Sequence, residues 1–247
     1  LNANLAHNKN TIVELSKMVE EYNKKVDENF DAMQARYPDL ASRPMPKYYV
    51  GKSVSAIYAV PSHGIDPASG KEEFVKKDGT PTFTYAAEDQ VVVGDLLATA
   101  NGTIGVNIGW KNIYLNANFM YEWGGQIYNT TLLEKVEKAP IATSNVDKRV
   151  LSERWKKIGD VAPFYDIQSK TDTKPTTRFV QDNNVLSFST LSVGYDFSQK
   201  LVKKLHLSSL GLRFNANDIA RWSTVKLERG LSYPYAKTFS FTLSANF

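Results

Sequence analysis

The chain has 247 residues, a net charge of +4 and 42% hydrophobic residues, enough for one large domain or two small ones. No apolar run approaches the roughly 18 to 20 residues of a membrane helix, so helical spanning is excluded, but a β-barrel, whose alternating strands escape hydropathy averages, is not. The absence of cysteine removes disulfides, thiolate metal sites and cysteine nucleophiles, and the positive charge is spread too evenly to predict a nucleic-acid partner.

The first strand is expected near residues 1–10, with Leu1, Ala3 and Leu5 on one face. A chain that opens in mid-strand, with neither Met nor signal peptide, is expected to be a piece of a longer protein. A long connection, near 11–101, follows. In it Ile12, Leu15, Val19, Tyr22, Val26, Phe30 and Met33 recur at steps of three and four, which predicts an amphipathic helix packed on its own loop and ended by Pro38. Turn signals come next, at Pro61 to Gly64, Asp66 to Gly70 and Lys77 to Gly79. Asp66 and Asp78 lack the spaced oxygen ligands of a calcium loop and read as solvated turns.

Two strands near 103–110 and 113–128 form a hairpin closed by Lys111-Asn112. Ile104, Val106, Ile108 and Trp110 share a face, as do Ile113, Leu115, Ala117, Phe119, Tyr121 and Trp123. The opposite face carries Thr103, Asn107, Asn116, Asn118 and Glu122. A second long loop spans about 129–183. The strand near 185–197 changes phase at Thr190: Leu186 and Phe188 lie on even positions, Leu191, Val193 and Tyr195 on odd ones, which predicts a bulge. A basic connection leads to a strand near 205–217, with Leu210, Leu212, Phe214 and Ala216 opposite Arg213, Asn215 and Asn217. A third loop covers about 218–232.

The closing strand, near 235–247, alternates without a fault: Phe239, Phe241, Leu243, Ala245 and Phe247 against Thr238, Ser240, Thr242, Ser244 and Asn246. Its polar face carries no charge, unlike that of a soluble two-faced strand, and suits a barrel lumen. From Lys237 to Phe247 it runs roughly 33 Å, and tilted by about 45° it climbs roughly 23 Å, near the height of an outer-membrane apolar belt. Tyr233 and Tyr235 would supply one aromatic girdle and Phe247 the other, with Lys237 snorkelling at the rim. Short turns at one end and long loops at the other complete the all-β barrel pattern of six antiparallel strands.

Chemistry is absent from this pattern. His7, His63 and His206 are far apart, no metal-ligand spacing occurs, and Gly124-Gly125 follows a strand but lacks the lysine and helix of a phosphate loop. No enzyme activity, metal or cofactor is expected. Trp155, Phe164, Tyr165, Arg178, Arg221 and Trp222 suit recognition of a sugar or peptide near a barrel mouth, or else anchor the loops by packing. Three readings stay open: a nutrient importer, a soluble carbohydrate-binding β-sandwich, and a passive outer-membrane barrel or adhesin.

Several segments together resemble the SusC/RagA family of TonB-dependent outer-membrane transporters. Lys148 to Asp160, containing Arg154-Trp155, is similar to the family's "RW…PGD" loop, with Ile158 in place of the usual proline. Thr177 to Leu186 and Leu191 to Tyr195 resemble its "SRFVEDGSFLRL…LSLGY" strand, and Leu207 to Asn217 its "LSSLRLY…N" strand. Tyr49 to Gly51, Gly64 to Asp66, Gly70 and Asp78-Gly79 resemble "GxxxGSIYGY…GIDPxTG…DxDG". Tyr233 to Phe247 resembles the "YP…RTFTFGLNLTF" terminus, with Lys237 for arginine.

The resemblance covers nearly the whole chain; the helix after Thr11 is its least typical part. It implies that residues 1–247 form the C-terminal six strands of a transmembrane barrel of about 22 strands, the plug and N-terminal extension lying outside this chain. It further implies a bacterial outer-membrane location, of the kind found in Bacteroidota, and TonB-dependent import of a glycan or peptide. A SusD-like surface lipoprotein would act as lid, and the TonB complex would couple through the missing N-terminal part. Arg154, Trp155, Tyr165, Arg178, Arg213, Asn215, Asn217, Arg221 and Trp222 are the expected substrate-facing residues, and Phe247 the expected barrel-assembly signal.

Overall fold

A computed structural model describes residues 1–30, 32, 36–37, 42–227 and 236–247. Six strands make one antiparallel sheet: β1 (Asn2–His7), β7 (Ala100–Trp110), β8 (Ile113–Tyr128), β9 (Val180–Asp196), β10 (Ser209–Ser223) and β11 (Thr238–Asn246), in that spatial order. Five shorter strands lie between the first two: β2 (Ala56–Ala59), β3 (Ser62–Ile65), β4 (Glu72–Val75), β5 (Pro81–Thr82) and β6 (Val91–Asp95). They form small separate sheets, β2 with β6 and β3-β4-β5.

The register keeps apolar residues opposite apolar residues across the large sheet. Ile104 faces Phe119, Leu115 faces Val193, Phe214 faces Val193 and Phe241, and Leu212 faces Tyr195 and Leu243. Because a one-residue slip would exchange the faces, this matching fixes the pairing. Two aromatic contacts reinforce it, Phe119 stacked on Phe188 at 4.6 Å and Phe214 against Phe241 at 4.9 Å. The phase change in β9 is a bulge: Asn118 pairs with Thr190 but Phe119 with Phe188, leaving Ser189 extra. A second bulge lies in β10 between Asn217 and Ala220, where Asp218 has φ +53.

The buried apolar clusters sit in the loops and at the loop end of β8 and β9. Tyr128, Leu132, Leu133, Val136, Val150, Phe164 and Phe179 form one. Val26, Phe30 and Met45 form another, under the helix α1 (Lys17–Glu28). The helix is shorter than the spacing predicts. Ile12 exchanges backbone hydrogen bonds with Gly51 and Lys52, so the chain there is extended, and Ser16 caps α1 in an extended conformation. Met33, Pro38, Tyr233 and Tyr235 lie outside the described residues. β10 runs six residues beyond the expected end at Asn217, through the bulge to Ser223, so Arg221 and Trp222 are strand residues.

Because neighbours in the sheet alternate in direction, the connections 8–99, 129–179 and 224–237 leave from one edge, and Lys111-Asn112 and 197–208 from the other.

Candidate functional site

The sheet presents two chemically different walls. On the polar wall the side chains form a neutral cross-strand network. Asn118 donates to Thr190 at 2.9 Å, Ser192 to Asn215 at 2.8 Å, and Asn217 to Thr238 at 3.2 Å. Asn215 reaches on to Ser240 at 3.4 Å. Arg213 donates to the Tyr114 hydroxyl at 3.2 Å, its guanidinium 5.6 Å from the ring centre. The Tyr114 ring lies over Gly194, where a Cβ would run into it, so a glycine is required for this approach. Arg213, Asn215, Asn217 and Arg221 all occupy this wall by register, Arg221 opposite Ser187.

Trp222 does not. It pairs with Leu186 on the apolar wall, one step beyond Ala220 opposite Phe188. The bulge between Asn217 and Ala220 continues the strand, and alternation then sets Trp222, one of the expected substrate-facing residues, on the apolar wall. Phe247 is exposed beyond the end of β11, in phase with Phe239, Phe241 and Leu243.

Arg154, Trp155, Tyr165 and Arg178 are engaged within the loop layer instead of standing free. The Arg178 side chain is 5% exposed and bridges two carboxylates that are 0% and 1% exposed, Glu72 at 2.8 Å and Glu137 at 2.9 Å. Its guanidinium sits between the rings of Tyr165 and Phe179, at 4.9 and 4.8 Å. Tyr165 donates its hydroxyl to Glu72 at 3.1 Å. Arg154 is buried and donates to the carbonyls of Val136, Glu137 and Tyr165. Trp155 donates to the Pro67 carbonyl at 3.1 Å and covers Gly70, which has φ +69.

The electrostatics follow from burial. Burial works against the charge of Arg178, but Glu72 and Glu137 outweigh it and hold the guanidinium above its usual range. Burial pushes the Glu137 carboxyl up, with Arg178 opposing. It also raises the Tyr165 phenol, with Glu72 adding to the effect, and lowers Arg154. These groups clamp the loop at 129–179 onto β4 of the preceding loop. Glu72 and Glu137, the two anions of the clamp, carry no signal in the sequence, since they lie 106 and 41 residues from Arg178.

Asp66 accepts from the backbone of Ala68 and Ser69, and Asp78 from that of Thr80, so both close turns. Among the described residues no group of His, Asp and Glu is placed to hold a metal ion.

No protein-family model matches the chain. In sequence it is 26% identical over 208 residues to TonB-dependent receptor P3 of Formosa agariphila, covering 74% of this chain and 19% of that protein. In fold it superposes on the RagAB peptide importer in its 'open-open' state with a TM-score of 0.64 at 17% identity, over 78% of this chain and 22% of that one. The structure of the RagAB peptide transporter gives 0.61 at 17% identity, over 74% and 21%. The six-stranded sheet thus has the fold of a section of the RagAB structures, and the sequence is similar to part of a TonB-dependent receptor. The chain spans about a fifth of the length of the relatives it matches.

Proposed function

We propose that this chain supplies part of the wall and outer loops of an outer-membrane importer that takes up an oligosaccharide or oligopeptide by TonB-dependent transport. The observation that carries the reading is the pair of walls. One is apolar and aromatic over five consecutive strands, and the other is polar and hydrogen-bonded across strands, its charges few among Asn, Ser and Thr. A soluble two-faced sheet usually turns Lys and Glu to the water, whereas a wall dominated by Asn, Ser and Thr suits a water-filled lumen. Likeness to a TonB-dependent receptor and to a peptide importer supports the same assignment.

The connections 8–99 and 129–179 leave the strands at the same end and are held together by the Arg178 clamp. In this reading they form the cell-surface layer and meet a SusD-like lid lipoprotein, while the TonB complex acts through parts of the transporter outside this chain. The lumen wall at Arg213, Asn215, Asn217 and Arg221 lies along the path of the substrate. The test is to delete the gene in its native host, restore it with and without residues 1–247, and measure uptake of labelled oligopeptide and oligosaccharide pools. The uptake lost should return only with the complete chain. Unchanged uptake of both pools, with the protein present in the outer membrane, would refute the reading.

A further inference from the structure

Above the hairpin β7-β8 the polar wall carries a cleft of about 420 Å³, lined by Asn8, Lys9, Leu96, Leu97, Asn101 and Glu122, among others. Asn101 and Glu122 are register partners two residues beyond Thr103 and Met120, so both project into the lumen at its mouth. The cleft is built by the one glycine pair in the strand. β8 bulges at Gly124-Gly125, with φ +80 at Gly124, and Gly124 donates to the Asn184 side chain at 3.0 Å. The backbone at Leu96 and Ala98 crosses Gly125 so closely that a Cβ there would stand 3.2 Å from it. Thr99 fastens this strap to the carbonyl of Trp123 at 3.2 Å. The strap holds Leu96 and Leu97, both largely exposed, beside the Glu122 carboxylate.

The lining combines one carboxylate, one ammonium, asparagine amides and two leucines. Among the described residues no aromatic ring lines it, since Trp123, next to Glu122, alternates onto the apolar wall. A sugar ring would find no flat apolar platform here. A peptide would find amides matching its backbone, leucines for an apolar side chain and a carboxylate for a free α-ammonium, the Lys9 ammonium on the same lining being left to a peptide carbonyl.

We infer that this cleft is a subsite for the amino-terminal end of a short peptide, with Glu122 receiving the α-ammonium and Leu96 and Leu97 the first apolar side chain. The inference rests on the importer reading above and narrows its substrate to peptides. The probe is Leu-Ala-Ala-Ala carrying a fluorophore at its carboxyl end, titrated into the detergent-solubilised full-length polypeptide by fluorescence polarisation. Glu122→Gln should weaken binding about tenfold, the scale of one charge-assisted hydrogen bond made neutral. Acetylating the probe should weaken binding to the unaltered protein by a similar factor and leave the Glu122→Gln protein indifferent to acetylation. Thr242→Ser, distant from the cleft, serves as folding control.

If the unaltered protein binds the probe with and without acetylation alike, or Glu122→Gln binds as well as the unaltered protein, the subsite is overturned while the importer reading stands. Competition by a neutral oligosaccharide that is itself abolished by Glu122→Gln would overturn the peptide assignment. Loss of all uptake specificity in cells, measured separately, bears on the importer reading alone.

Discussion

Arg178 shows how much one buried side chain can hold. Replacing it with Met removes the cation that both Glu72 and Glu137 bond, leaving only Arg154 nearby for Glu137, and breaking a buried pair in this way costs about 3–5 kcal/mol. We expect Arg178→Met to open the outer loops to protease at a concentration that spares the unaltered protein. Arg178→Met combined with Glu72→Gln and Glu137→Gln should recover much of the resistance, because the neutral amides no longer require a cation. Persisting sensitivity in the triple variant would assign Arg178 a packing role instead.

Two carboxyls give opposite pH signatures. The Glu137 carboxyl is raised above 4.5 in the folded protein, so the native state holds its proton more tightly than the unfolded chain does. Its contribution is therefore full below 4.5 and is lost as pH rises through the raised value. The Asp147 carboxyl, bonded by Arg149, is lowered from 3.8 to about 2, so its contribution is present above 3.8 and lost as pH falls toward about 2. Protease resistance of the loops, followed against pH, should lose its decline above pH 4.5 in Glu137→Gln and keep it in Asp147→Asn. Of this chemistry the sequence shows little. Arg178 and Tyr165 stand out by type, but their anionic partners are remote in the chain, and a buried Arg looks like an exposed one in a sequence.

At the level of elements, alternation is a sufficient guide where one wall is apolar and the other polar. The phase change at Thr190 was legible because it interrupts a pattern otherwise without fault, and Ser189 is its cause. The bulge after Asn217 is not, since Asp218 resembles the start of a loop and hides the further strand that carries Trp222 onto the apolar wall. The strands β2 to β6 have no more than five residues each, too few for a period to show. Their pairing is set by tertiary contacts such as those of β4 with the second loop. The face assignment can be tested directly. Phe241→Arg puts a charge on the lipid wall near mid-belt and should cost about 2–4 kcal/mol, whereas Thr242→Arg, one residue on, reaches the lumen and should be tolerated. Folding into lipid vesicles under urea would measure both, and equal losses would mean that the two walls are not lipid and water.

On the scale of the whole molecule, the decisive feature is that the sheet is open. β1 pairs on one side with β7, and β11 on one side with β10. Each outer edge therefore presents a row of backbone donors and acceptors. In hydrocarbon every such group left unpaired costs several kcal/mol, so an open sheet cannot persist there. The six strands must be closed by others, in the same polypeptide or supplied to it, with β1 and β11 each gaining a neighbour. The expected outcome is that residues 1–247, exported behind a signal peptide and expressed alone, give no heat-modifiable species in outer-membrane fractions and are degraded or aggregate. Co-expression with the remaining strands of the barrel should restore a protease-resistant form. Cysteines at Ser240 in β11 and in the strand that becomes its new neighbour should then cross-link. A stable, heat-modifiable barrel made by this segment alone would show instead that β1 and β11 find each other, and would make it a small independent barrel.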